Sequence, residues 1–113
     1  MNLTVSTSGK WPTISGVVTL DGRVIWETPA FAIRSMAADA AAEMRDNLHS
    51  AGDAMLIAMA RTHVMSAERH ARTGGMDEHS ARALRNADGV LAYLAARHGQ
   101  RPERFTVIEG GAA

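Results

Sequence analysis

The chain has 113 residues, 12 Lys+Arg against 12 Asp+Glu, five His and no Cys, with 46% hydrophobic and only 4% aromatic residues. Length and hydrophobic content predict one folded domain over residues 1–109 and a flexible tail over 110–113; they exclude a mostly disordered chain. The missing cysteines exclude disulfide scaffolds, thiolate zinc sites and cysteine nucleophiles together, and the zero net charge argues against a protein that coats nucleic acid.

The N-terminus, Met1 to Pro12, lacks the basic-then-apolar build of a signal peptide, and no apolar run approaches the roughly 18 to 20 residues of a membrane span. A cytoplasmic protein without membrane contact is expected. Its first eleven residues read as an irregular arm. Thr13–Leu20 and Arg23–Thr28 are rich in β-branched residues and joined by Asp21-Gly22, which suits a two-residue type I′ turn because both central positions need positive φ. Pro12 and Pro29 bracket this hairpin, since neither can donate to a strand ladder.

Met36 to about Thr73 contains no proline and is dominated by Ala, Met, Leu, Glu and Arg, all good helix formers, with Ser35 as the expected N-cap. Ala37, Ala41, Met44, Leu48, Ala51 and Met55 alternate at spacings of four and three, which places them on one helical face. The stripe keeps its phase across Gly52. Ser50-Ala51-Gly52-Asp53 is therefore compatible with one helix of about 57 Å, kinked or straight at Gly52, or with a glycine stop followed by an Asp cap.

Thr73-Gly74-Gly75 ends this segment. A second helix starts at Met76-Asp77-Glu78 with Asp77 as cap, carries the stripe Leu84, Ala87, Leu91, Leu94 and His98, and closes at Gly99 and Pro102. So short a connection dictates an antiparallel helical hairpin, whose return brings the chain back beside Asp53. Phe105–Glu109 reads as a short strand joining the sheet. The expected fold class is α+β in the order ββ-α-α-β.

A two-residue turn fixes the hairpin register as Leu20 with Arg23, Thr19 with Val24, Val18 with Ile25 and Val17 with Trp26. Ile14, Val18, Leu20 and Ile25 then share one face, and Val17, Val24 and Trp26 the other. One layer of helix covers one face only. The second needs a cover: Trp11, Phe31 and the N-terminal arm, a second copy of the chain, or a foreign protein.

Few residues carry a chemical signature. His63 and His70 lie about 10 Å apart along a helix, too far to share one ion, whereas His70 and His79 should fall opposite each other across the helical hairpin near Glu68, Asp77 and Glu78. No fixed-spacing motif supports a metal there, and no metal or cofactor is expected. His98 reads as a partly buried side chain favoured by a helix C-terminus. Residues 61 to 113 hold eight arginines against six acids, and Lys10 is the one lysine of the chain. Arg61, Arg69 and Arg72 could line one side of a helix and meet phosphates, although interleaved acids favour a solvated, ion-paired surface. Met55, Met59 and Met65 are either core or an adaptable protein-binding face. No phosphate loop, nucleophile elbow or paired-carboxylate setting is present, so no enzyme is expected.

The expected function is protein binding by a small, cofactor-free inhibitor or adaptor acting as a homodimer through Val17, Val24, Trp26, Met55, Met59 and Met65. This build is common among accessory proteins of phage and other mobile elements. The alternative is a nucleic-acid-binding regulator that uses Arg61, Arg69 and Arg72.

Overall fold

The computed structural model describes residues 2–75 and 77–99. The expected strand Phe105–Glu109, the stop at Pro102 and the tail 110–113 lie outside the described residues. Within them the fold is α+β: strands β1 (Leu3–Lys10), β2 (Thr13–Leu20) and β3 (Arg23–Glu27) precede helices α1 (Arg34–Ser50), α2 (Asp53–Gly74) and α3 (Glu78–Arg97). The sheet is an antiparallel meander in the order β1-β2-β3.

The segment expected to be an irregular arm is strand β1, paired along its whole length with β2 from Leu3 opposite Leu20 to Lys10 opposite Thr13. Its alternation explains why. Leu3 and Val5 face the helices beside Leu20 and Val18, while Thr4, Ser6 and Ser8 line the far face with Ser15 and Thr19, where the Thr4 and Thr19 hydroxyls are hydrogen-bonded.

The β2–β3 turn forms as the sequence predicts, with Asp21 at φ 49° and Gly22 at φ 89°. Beyond it the register departs from expectation. Leu20 pairs with Arg23 and Thr19 with Val24, but Val18 pairs with Trp26 and Val17 with Glu27, which leaves Ile25 as a bulge. This one extra residue moves Trp26 from the Val17 side to the Val18 side, where it packs partly buried against the core. Ile25 itself is buried against α3, whose Gly89 lies so close that a methyl group there would sit 1.7 Å from the Ile25 carbonyl oxygen. Gly16 serves the same purpose on β2, against the Ala37 carbonyl and Ala41 of α1.

The long helical segment is broken. α1 stops at Ser50, Ala51 and Gly52 are extended, and α2 starts at Asp53 with Gly52 as an N-cap that has no side chain to offer. α1 begins at Arg34 with Ile33 as its N-cap, two residues before the expected cap Ser35. The break is held from outside: Arg97, at the end of α3, donates to the carbonyls of Leu48 (2.7 Å) and Ala51 (2.8 Å) and to Asp53 (3.2 Å). Carbonyls left open by a stopped helix are natural acceptors for a guanidinium. Nε2 of His98 donates to the other Asp53 oxygen at 2.6 Å, so the return helix ends beside Asp53 as its length predicts, with His98 exposed rather than partly buried.

α1 packs on β1 and β2, α3 packs on β3 and along α2, and Asp77 caps α3 by accepting from the Ser80 amide at 2.8 Å. Leu48 of α1, Leu56 of α2 and Leu94 of α3 meet Val18 and Ile25 in one core. Each such leucine contributes about 1.5 to 3 kcal/mol by leaving water. None of the described helices is long and apolar enough to cross a membrane.

Candidate functional site

The structure separates the residues expected to form one recognition face. Val17 is 6% exposed within the single chain, Val24 is 55% exposed on the hydroxyl-bearing far face, and Trp26 lies on the opposite side of the sheet. The premise of a continuous apolar second face therefore fails, because β1 supplies threonine and serine there and the bulge removes Trp26. Trp11, a candidate cover for that face, is 76% exposed at the β1–β2 turn.

The methionines divide by helical phase. Met59 packs against the core beside Ala60, whereas Met55 and Met65 stay 60% and 53% exposed. At 100° per residue the buried stripe of α2 is Leu56, Ala60 and Ala67, and the direction opposite it carries Ala58, Arg61, Met65, Arg69 and Arg72. Met55 and Ile57, the latter 40% exposed, flank that strip. The two surfaces kept apart in the sequence reading, methionine for protein and arginine for phosphate, are thus one helix face. Arg61, Arg69 and Arg72 are exposed and have no carboxylate partner among the described residues. Among the described residues of α2, Glu68 is the one acid near the strip. These arginines are solvated as expected, but the ion pairs expected for them are not formed among the described residues.

A cleft of about 360 Å³ opens between the end of β3, the middle of α2 and the first turns of α3. Trp26, Glu27 and Pro29 form its sheet side, Thr62, His63 and Ser66 its α2 side, and His79, Arg82, Ala83 and Asn86 its α3 side. The Asn86 amide fixes the geometry by accepting from the Glu27 backbone N–H and donating to the Glu27 carbonyl, both at 2.9 Å. The His63 ring meets the Trp26 indole edge-on, with centroids 4.9 Å apart, and its Nδ1 is 2.9 Å from the Met59 carbonyl. A carbonyl only accepts, so the proton of neutral His63 is on Nδ1 and Nε2 keeps its lone pair. Nη2 of Arg82 donates to Nδ1 of His79 at 3.0 Å, which places the proton of neutral His79 on Nε2. Arg82 has no carboxylate partner among the described residues, whereas Glu27 has Arg85 at 3.8 Å. Thr62 and Ser66 also border a shallower depression with Met65 and Arg69, so the cleft adjoins the outward face of α2.

His70 and His79 meet as their positions predict, with ring centroids 4.9 Å apart. Among the described residues, however, no group of three or more His, Cys, Asp or Glu side chains is placed to hold a metal ion. The Asp77 carboxyl is held below its ordinary pKa, chiefly by the hydrogen bond from the Ser80 amide, with the two histidines adding to the effect. Asp53 is also held low, first by the His98 hydrogen bond and then by Arg97, against the opposing effect of partial burial.

Sequence reasoning missed the cleft because Trp26, His63 and Arg82 converge only through the bulge and the helical hairpin. Arg97 carried one signal: it stands on the helix that was expected to end beside Asp53. Comparison with protein-family models, curated proteins and solved structures returned no match.

Proposed function

We propose that the protein acts by binding protein, as a homodimer, through the outward face of α2. The observation that carries this reading is that α2 leaves Met55, Ile57 and Met65 in water beside three arginines that have no carboxylate partner among the described residues. Large exposed side chains grouped on one face mark interaction surfaces, and methionine and arginine are enriched in them. The complementary surface is apolar and acidic, and a second copy of the chain supplies one. The outward face of α1 bears Asp39, Glu43 and Asp46, all exposed, with Met36 half exposed at its start. Arg45 pairs with Asp46, and Asp39 and Glu43 have no basic partner among the described residues. At 1.5 Å per residue, Asp39 to Glu43 spans about 6 Å, which falls within the roughly 12 Å from Arg61 to Arg69 when two helices lie side by side.

In a two-fold dimer, α1 of each copy lies on α2 of the other, so the contact is made twice. One helix strip of about 33 Å by 10 Å falls well short of the roughly 800 Å² per partner of a stable interface, and the reciprocal contact brings it closer. As an inhibitor or adaptor the protein exchanges this second copy for an acidic, apolar surface on another protein. The specific role within a cell rests on that exchange.

Light scattering on the purified chain tests the reading. A mass of about twice 12.1 kDa is expected at low salt, decreasing as salt screens the charges. Met65→Glu should give monomer, whereas Val24→Glu, on the far sheet face, should leave the mass unchanged. A monomer at every concentration, or dissociation by Val24→Glu but not by Met65→Glu, would overturn the proposal.

The same three arginines favour nucleic acid as the second reading. Binding of a duplex of about 20 base pairs that weakens steeply with salt, and is lost in the Arg61/Arg69/Arg72 triple Ala variant, would support it.

A further inference from the structure

Beside the docking face, the cleft at Trp26 has the composition of a ligand site in its own right. Its roughly 360 Å³ lies within the range of small-molecule pockets. The walls are three rigid elements locked by the Asn86 bridge to Glu27 and by the close approach of α3 to Ile25. Pockets of this kind pair a mostly apolar wall with a few fixed polar groups. Here the wall includes the Trp26 indole, Pro29 and Ala83, and the polar groups are Arg82, His63 and His79.

Charge identifies the ligand. Arg82 is a half-buried residue whose guanidinium has no carboxylate partner among the described residues, and its neighbour His79 takes one of its N–H groups. The remaining N–H groups of the fork suit a carboxylate or phosphate oxygen pair. Neutral His79 presents a further donor at Nε2, and neutral His63 an acceptor at its Nε2. Among the described residues Glu27 is the one acid lining the cleft, and its charge is partly offset by Arg85 at 3.8 Å, a guanidinium shared with Glu78 at 2.8 Å.

We propose that this cleft binds a small planar organic anion, an aromatic or conjugated acid, with its ring against Trp26 and its acid group on Arg82. The anionic head is a carboxylate or a phosphate monoester; the flat body is what the indole and Pro29 select. No bond is made or broken, and the site is one of recognition. It is independent of the dimer, because none of its polar ligands is on the outward strip of α2.

Titration of the isotope-labelled full chain with 2-naphthoate, monitored by amide, indole and imidazole NMR signals, tests the proposal. Saturable shifts are expected at the Trp26 indole N–H and at the His63 and His79 rings, with the exposed Trp11 indole as an unmoved internal control. Naphthyl phosphate should bind at the same signals, and the neutral alcohol 2-naphthalenemethanol at least tenfold more weakly. Arg82→Gln should raise the Kd at least tenfold while leaving signals remote from the cleft in place. If that variant unfolds, Arg82→Lys, which keeps the charge and loses the planar fork, should weaken binding by a smaller factor. Shifts scattered over the surface or centred on Trp11, equal binding of the neutral alcohol, unchanged affinity in a folded Arg82 variant, or no saturation at about 1 mM, the weak end of specific affinity, would each overturn it.

Discussion

Gly89→Ala sets two physical effects against each other. On helix propensity alone the change stabilises α3, because alanine is favoured over glycine by about 1 kcal/mol in a helix interior. The packing argues the other way. A methyl at Gly89 would lie 1.7 Å from the Ile25 carbonyl oxygen and 2.4 Å from its carbon, backbone atoms that cannot rotate aside. Restoring ordinary contact requires α3 to withdraw from β3 by about 1.7 Å, and a gap of 0.5 to 1 Å already forfeits a quarter to a half of each dispersion contact. Ile25, Val90 and Leu94 share that layer, and all three are fully buried. Overpacking of this kind costs about 1 to 3 kcal/mol, sometimes more, and the loosened layer adds to it. After the propensity gain, a net loss of about 1 to 2 kcal/mol is expected, a sizeable share of the roughly 5 to 15 kcal/mol that holds a domain folded. Urea unfolding should show a lower midpoint with an unchanged slope. Gly74→Ala is the control: no heavy atom of the described residues lies within 4 Å of its added methyl, so only propensity acts and stability should rise by up to about 1 kcal/mol. If Gly89→Ala were as stable as the parent, the bulge at Ile25 and the close contact of α3 with β3 would both be wrong.

Arg97→Met removes the donors to Leu48, Ala51 and Asp53 while keeping most of the stem, and should cost about 2 to 3 kcal/mol in urea unfolding, as expected where acceptors lose charged donors. Gly52→Ser supplies the side-chain cap that α2 lacks, and because glycine is itself a tolerable cap, a stabilisation of only about 0.3 kcal/mol is expected in the same assay. Asp53 has a folded-state pKa below the ordinary 3.8, so its stabilising effect is fully present above that value and is lost as pH falls through the lower, folded value. Thermal unfolding followed from pH 6 down through the carboxylate range should therefore show a steeper loss for the parent than for Asp53→Asn.

The features legible in the sequence are those set by local chemistry. Asp21-Gly22 fixes its own turn because few other residues accept two successive positive φ angles. Asp77 caps α3 because its side chain reaches an amide three residues on. Helix length alone places the end of α3 beside Asp53. The missed features depend on partners distant in sequence. β1 has only two apolar residues on its inner face, Leu3 and Val5, and its hydroxyl-rich far face reads like a loop until the alternation is followed. The Ile25 bulge has no local marker: Val24, Ile25 and Trp26 form a plain apolar run between Arg23 and Glu27, and the close contact Ile25 makes is with Gly89, more than sixty positions later. Continuity of the stripe through Gly52 was a sound argument for one helix, but it could not register that Arg97 would take the carbonyls of a stopped one.

The candidate site shows the same division. Exposure of Met55 and Met65 and burial of Met59 follow from phase on one helix, so they are within reach of sequence reasoning once the buried stripe is known. The grouping of Trp26 with His63 and Arg82 is not, since it needs the bulge, the helical hairpin and the Asn86 bridge at once.

The reciprocal contact of α1 with α2 between two copies is tested most directly by exchanging charges. Asp39→Arg with Glu43→Arg makes both faces basic, and Arg61→Glu with Arg69→Glu makes both acidic; each double variant should be monomeric at low salt. Mixed in equal amounts, they place opposite charges at both contacts. Sedimentation equilibrium should then return a heterodimer of about twice 12.1 kDa, whereas a mixture that stays monomeric, or double variants that dimerise alone, would contradict the account.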